Sequence, residues 1–86
     1  MKQLEIFYQD KCPYCKKALK YIQELQEEND TYRLIVPKLT NEEIKIDYAD
    51  LFDYFYVPAF FIDGKKVHEG IVTKDEIRSI LDKVLE

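Results

Sequence analysis

The residues best suited to chemistry are two cysteines three positions apart. Cys12 and Cys15 enclose Pro13 and Tyr14, where a strand-like segment gives way to a helix-like one. The first turn of a helix has unpaired N–H groups and a positive dipole end, which favour the thiolate of Cys12. Cys15 lies one helical turn further on, within reach of a disulfide. We predict that Cys12 attacks a disulfide as the nucleophile and that the more buried Cys15 resolves the mixed disulfide.

Basic side chains surround this cysteine pair. Residues 1–20 hold five lysines and two acidic residues, whereas the whole chain has a formal net charge of -4. Lys11 is the candidate for contacting a substrate, and Tyr14 is expected to be exposed, with its hydroxyl available to a substrate. A solvated helix face accounts for the same lysines without any function. The acidic total argues against a general nucleic-acid binder.

Three other interpretations of the cysteine pair stay open. A tetrahedral zinc site needs four ligands, and the one other strong candidate is His68. His68 is more simply a solvated strand residue that alternates with an inward Val67. A structural disulfide is the second alternative, but it would close a very short loop and would therefore stabilise the fold little. Two buried, inert cysteines are the third, but charged residues and a proline surround the pair.

A second candidate element is Val57–Pro58, immediately before an apolar strand. Proline at the first position of a strand is ordinary. The functional alternative is a cis peptide bond, which we predict here. It would expose the N–H and C=O of Val57 beside the thiol, where an extended substrate pairs with them. Tyr56 is a further candidate for the substrate groove, whereas Tyr54 is expected in the core.

Alternation and helical periodicity predict the elements that position these residues. The chain reads as β-α-β-α-β-β-α. The clear elements are a strand at 4–8, a loop at 9–11, a helix from Pro13 to about Asn29, strands at 59–62 and 65–69 joined by the Asp63–Gly64 turn, and a last helix that begins at the Thr73–Glu76 capping box. A parallel β-α-β unit followed by a hairpin and a helix is an α/β fold.

The stretch between residues 34 and 53 is ambiguous. Either 34–40 or 44–46 fits a strand, and we favour 34–40. Pro37 then makes it an edge strand, because proline cannot donate to a central ladder. The next element is expected to be a short helix entered near residue 41 and ending near residue 53. Its expected inward residues are Ala49, Leu51 and Phe52.

Length and composition set the class of protein. Eighty-six residues, 47% hydrophobic and 35% charged, make a single small globular domain over residues 1–86. No apolar run approaches the ~20 residues that a membrane span needs, and the N-terminus shows no secretory signal. Two cysteines are few for a secreted disulfide scaffold. We therefore expect a cytoplasmic monomer without a membrane partner.

Taken together, these motifs resemble the glutaredoxin/thioredoxin superfamily over nearly the whole chain. The resemblance rests on the segments 12–15, 57–61 and 63–65 and on Gly70. It implies a thioredoxin-like fold, with a central four-stranded mixed sheet flanked by helices, and thiol–disulfide oxidoreductase activity without a bound cofactor or metal. The CPYC motif is the glutaredoxin form, and thioredoxins carry a buried Asp where this chain has Ile6. The residues expected to contact a substrate are Lys11, Pro13, Tyr14, Tyr56, Val57, Pro58, Gly70 and Thr73.

Two departures from the glutaredoxin pattern concern the electron donor. Glutaredoxins carry a basic residue three positions before the nucleophile, where this chain has Gln9, with Lys11 as a substitute. They also carry Gly-Gly before the last helix, where this chain has Gly70–Ile71. Thr73 still offers a hydroxyl and an N–H to the γ-glutamyl end of glutathione. The resemblance thus implies protein or mixed disulfides as substrates, and glutathione or a flavoprotein thioredoxin-type reductase as donor. A non-catalytic metal or iron–sulfur cluster binder is the alternative of another class.

Overall fold

A four-stranded mixed sheet forms the centre of the protein. The computed structural model describes residues 1–86, and its elements in chain order are β1 (Leu4–Tyr8), α1 (Pro13–Glu28), a 3₁₀ helix (Tyr32–Leu34), β2 (Lys38–Asn41), α2 (Ile46–Ala49), β3 (Ala59–Ile62), β4 (Lys65–Glu69) and α3 (Lys74–Leu85). The strands lie in the order β2-β1-β3-β4. β1 is parallel to β2, and β3 is antiparallel to both β1 and β4. The order of elements and the mixed sheet are as predicted.

The sheet separates two hydrophobic cores, because successive side chains of a strand point to opposite faces. The larger core joins one face of the sheet to α1 and α3, and it includes Leu4, Ile6, Phe60 and Ile62 from the strands. The smaller core on the other face contains Phe7, Ala49, Ala59 and Phe61, with the rings of Tyr48, Phe52 and Tyr54 packed against it. No helix has the combination of length and apolar composition that spans a bilayer.

Both long helices begin as the sequence predicts. Pro13 occupies the start of α1, where its missing N–H costs no hydrogen bond. At the start of α3, the Glu76 N–H donates to the Thr73 hydroxyl across 3.1 Å, and the Thr73 N–H donates to the Glu76 carboxylate across 3.0 Å. This reciprocal pair is the predicted capping box.

The second strand begins later than predicted. β2 covers Lys38–Asn41 rather than 34–40, because residues 32–34 form the 3₁₀ helix, which the Ile35 N–H closes on the Tyr32 carbonyl. Pro37 lies just before the strand instead of inside it. The prediction of an edge strand is confirmed, since β2 pairs with β1 alone.

The second helix is also shorter than predicted. Residues 42–45 form a turn because Asn41 holds them: its side chain accepts from the Glu43 N–H, and its carbonyl accepts from the Lys45 N–H, both across 2.9 Å. Ala49 and Phe52 pack inward as expected. Leu51 is 80% exposed, so its predicted inward position was wrong, because the helix ends before it.

A bulge in β4 leaves His68 less exposed than predicted. Phe60 pairs with His68 while Phe61 pairs with Lys66, so β4 carries one extra residue, Val67, at this point. The His68 side chain is consequently only 22% exposed. Its Nε2 atom lies 2.8 Å from the Ile71 carbonyl oxygen. His68 is therefore a strand residue, as predicted, but a partly buried one that contacts the segment before α3.

The capping box gives a test of the fold. Thr73→Ala removes the side-chain acceptor for the Glu76 N–H and should lower the free energy of unfolding by about 1 kcal/mol. Ser79→Ala is the matched control, because Ser79 is exposed on the same helix and should change stability by less than about 0.5 kcal/mol. Urea unfolding measures both variants. Equal stability of the two variants would show that the cap contributes nothing.

Candidate active site

Cys12 caps the N-terminus of α1. Its backbone is extended (φ -87°, ψ 111°), and its sulfur accepts a hydrogen bond from the Cys15 N–H across 3.1 Å. Pro13 occupies the first helical position without an N–H of its own. Sulfur in contact with the positive end of a helix is stabilised as the anion, so the geometry supports Cys12 as the nucleophile.

Cys15 occupies a different environment. Its side chain is only 1% exposed, whereas Cys12 is half-buried, and both are free thiols. Burial raises the pKa of the Cys15 thiol well above its ordinary value, and the hydrogen bond with Cys12 raises it further. A bond from the Gln9 main chain opposes this shift but does not reverse it. Cys15 is therefore held as a thiol, as the sequence predicts for a resolving cysteine.

The Val57–Pro58 turn lies against the nucleophile. The peptide bond is cis, as predicted, and the Val57 carbonyl oxygen is 3.9 Å from the Cys12 sulfur. The Pro58 carbonyl accepts a hydrogen bond from the Gly70 N–H across 2.9 Å, while the Val57 N–H has no acceptor within the protein. The structure thus brings four predicted site residues together and leaves the Val57 N–H available to a ligand.

Large side chains next to these residues in the chain are exposed. Tyr14, between the cysteines, is 50% exposed, and Tyr56, before the turn, is 66% exposed. Lys11 is exposed and forms no ion pair. Thr73 is also exposed, but its N–H and hydroxyl oxygen serve the α3 cap. The substrate contacts assigned to these residues stay predictions.

A carboxylate that the sequence motifs did not reveal lies beside the thiol pair. Glu42 accepts hydrogen bonds from the Gln9 side-chain amide and from the Tyr54 hydroxyl, the latter across 2.5 Å. The main chain of Gln9 in turn accepts from the Cys12 N–H across 3.3 Å. After burial and Cys12, the negative charge of Glu42 also raises the pKa of Cys15. Glu42 could have been located from its place directly after β2, because the parallel strands β1 and β2 end at the same edge of the sheet.

The structure does not bring a third metal ligand to the thiols. No group of three or more His, Cys, Asp or Glu side chains lies close enough together to hold a metal ion. His68 is engaged with the Ile71 carbonyl instead. Since zinc normally has four ligands in structural sites, the zinc interpretation of the cysteine pair has no support in this geometry.

Similarity to known proteins agrees with the geometry of the thiol pair. Residues 2–82 match the thioredoxin domain family. The chain belongs to this family. A probable thioredoxin from Archaeoglobus fulgidus is 30% identical over 84 residues, which cover 98% of this chain and 90% of that protein. Membership of the thioredoxin family, together with two cysteines three residues apart, indicates a thiol–disulfide oxidoreductase.

Solved structures show the same thioredoxin-like fold. A mutant thioredoxin from Halobacterium salinarum NRC-1 superposes with a TM-score of 0.72 at 21% identity, covering 99% of this chain and 75% of its own. A thioredoxin-like protein from Clostridium perfringens gives a TM-score of 0.66 at 26% identity, covering 98% and 71%. These relatives are thioredoxins or thioredoxin-like, so the glutaredoxin subtype expected from the CPYC motif stays a prediction.

The contrast between the two cysteines predicts selective alkylation. Substoichiometric iodoacetamide at pH 8 should modify Cys12 at least about tenfold faster than Cys15, because only the thiolate reacts and the raised pKa keeps Cys15 protonated. Raising the pH should speed the reaction of Cys15, as its pKa is approached from below. Peptide mapping by mass spectrometry measures both sites. Faster modification of Cys15 at pH 8 would reverse the two assignments.

Proposed function

We propose that this domain reduces protein disulfides, and mixed disulfides on proteins, by a dithiol mechanism. The observation that carries the proposal is the position of the Cys12 sulfur. It lies at the N-terminus of α1, 3.1 Å from the Cys15 N–H and 3.9 Å from the Val57 carbonyl. The Cys15 N–H donates a hydrogen bond to the sulfur, and the Val57 carbonyl marks where a substrate main chain would lie.

The reaction proceeds by two thiol–disulfide exchanges. The Cys12 thiolate attacks one sulfur of the substrate disulfide, and the other substrate sulfur leaves as a thiolate that takes up a proton. Cys15 then loses its proton and attacks the Cys12 sulfur. The second substrate sulfur leaves as a thiolate, and the domain is left with a Cys12–Cys15 disulfide. The substrate gains two electrons, which the two cysteines supply.

Substrate binding would use main-chain and aromatic contacts. The unpaired N–H and the carbonyl of Val57 allow an extended peptide to add as a short strand. The exposed rings of Tyr14 and Tyr56 would flank this peptide. In this proposal the domain acts as a monomer in the cytoplasm, where a reducing glutathione pool and reductases keep dithiols reduced.

For the electron donor, we propose a flavoprotein disulfide reductase, with glutathione as a weaker donor. Glutathione carries two carboxylates that need positive or N–H-rich partners. Gln9 carries no charge and is bonded to the anionic Glu42, which would repel a carboxylate. Ile71 stands in place of a second glycine, and the Thr73 N–H is occupied by Glu76. These contacts support weak use of glutathione.

Single substitutions of the cysteines test the mechanism. Cys12→Ser should abolish reduction of insulin disulfides, because no other thiol is exposed. Cys15→Ser should accumulate a mixed disulfide between Cys12 and an insulin chain, because the resolving thiol is absent. Turbidity follows insulin reduction, and mass spectrometry under non-reducing conditions detects the adduct. Residual activity of Cys12→Ser, or an adduct on Cys15 in that variant, would contradict the mechanism.

A set of substitutions tests the donor proposal. A lysine introduced at position 9 would pair with Glu42, so Gln9→Lys is combined with Glu42→Gln and Ile71→Gly. One new charge-assisted contact should raise glutathione-dependent turnover about tenfold. Gln23→Lys is the matched control, because Gln23 is exposed on α1 outside the site. An unchanged glutathione-dependent turnover in the triple variant would show that these residues do not set donor choice. The same conclusion would follow if the unmodified protein already turned over glutathione as fast as a good glutaredoxin does.

A further inference from the structure

The loop before Pro58 is held by an acidic side chain at the end of β4. The Phe55 N–H donates to the Glu69 carboxylate across 3.0 Å. Lys66 lies 3.3 Å from the same carboxylate oxygen. The hydrogen bond from Phe55, and smaller contributions from Lys66 and the Tyr56 N–H, hold the pKa of Glu69 below its ordinary value. Glu69 is therefore ionised at neutral pH and accepts these bonds at full strength.

Gly70, which directly follows β4, fixes the other end of this loop. The Gly70 N–H donates to the Pro58 carbonyl across 2.9 Å. Gly70 has a positive φ of 81°, and a Cβ atom there would lie 3.4 Å from the Tyr56 Cβ. Glu69 and Gly70 thus hold the loop through two hydrogen bonds, from Phe55 and to Pro58, and Gly70 lies against Tyr56. The loop backbone is anchored although it has no regular secondary structure.

The anchored backbone presents two rings to solvent. Phe55 is 82% exposed and Tyr56 is 66% exposed, while the adjoining Val57 carbonyl faces the Cys12 sulfur. Aromatic rings on a fixed backbone provide contact area at little further entropic cost when a partner binds. The free N–H of Val57 adds a directional contact for a main chain. An extended polypeptide satisfies all three features, whereas a non-peptide disulfide such as bis(2-hydroxyethyl) disulfide has no main chain to pair with Val57.

We propose that Glu69 is a positioning residue that fixes Phe55, Tyr56 and Val57 as a docking loop for an extended segment of a disulfide-containing protein. This inference rests on the proposed function and names the residue that fixes its substrate-binding loop. Protein disulfides depend on the loop for binding, and small disulfides react at Cys12 without it. Glu69 does not touch the reacting sulfurs, so its effect falls on substrate binding rather than on sulfur exchange.

The test compares one protein disulfide with one small disulfide in single turnovers. Pre-reduced protein is mixed with insulin or with bis(2-hydroxyethyl) disulfide, quenched with acid and assayed by mass spectrometry. Glu69→Gln should raise the half-saturating insulin concentration about tenfold, because the anionic acceptor of the Phe55 N–H is lost. The maximal rate with insulin and the rate with the small disulfide should stay unchanged.

Two further variants make the result specific. Glu28→Gln is the matched control, since Glu28 pairs with Lys74 across 2.6 Å at the far end of α1. It should change neither the half-saturating insulin concentration nor the rate with the small disulfide. Phe55→Ala removes an exposed ring without removing a main-chain bond, and it should also raise the half-saturating insulin concentration. If urea unfolding shows that Glu69→Gln does not fold, the insulin saturation of Phe55→Ala alone tests the docking loop.

Two results would overturn the docking loop. One is unchanged insulin saturation in folded Glu69→Gln, or in Phe55→Ala where that variant decides. The other is an equal loss for both substrates, which indicates general damage to the site. If the unmodified protein reduces neither disulfide, the proposed function itself fails, and that outcome is distinct from both.

Discussion

The hydrogen bond from the Cys15 N–H to the Cys12 sulfur is the contact on which the site depends. It fixes the nucleophile at the positive end of α1, and one residue supplies both this N–H and the resolving thiol. The spacing of the two sulfurs is therefore set by one turn of helix. That turn is held in place because Ala18 and Leu25 on the same helix are buried against the sheet. Packing of the large core thus determines the geometry of the thiols.

The same sheet gathers the remaining parts of the site at one edge. The end of β1 leads to Cys12, and the start of the antiparallel neighbour β3 follows Pro58. β4 runs antiparallel to β3 and ends at the same edge, which brings Glu69 and Gly70 to the loop. β2 runs parallel to β1 and delivers Glu42 beside Gln9. Strand direction alone therefore explains why residues distant in sequence meet around two cysteines.

Features encoded within a few residues were predictable from the sequence. The start of α1 at Pro13, the Asp63–Gly64 turn and the Thr73 capping box all follow from local side-chain chemistry. The cis Val57–Pro58 bond was also predicted, although proline at the first position of a strand is ordinary.

Features that depend on neighbouring elements were not predictable. Glu5 is buried because Thr40 and Tyr48, from the ambiguous middle segment, donate to its carboxylate across 2.7 and 2.9 Å. The roles of Glu42 and Glu69 likewise depend on which strands lie side by side, and the bulge at Val67 depends on the register of β3 with β4. Alternation within one strand carries no information about these contacts.

The most direct test of the central claim follows the sulfur atoms of the unmodified protein through one turnover. The reduced protein is mixed with a protein disulfide, quenched in acid at increasing times, and digested for mapping by mass spectrometry. We predict a mixed disulfide on Cys12 that appears first and then decays into a Cys12–Cys15 disulfide as the substrate thiols are released. A first adduct on Cys15, or substrate reduction without a Cys12–Cys15 disulfide, would contradict it.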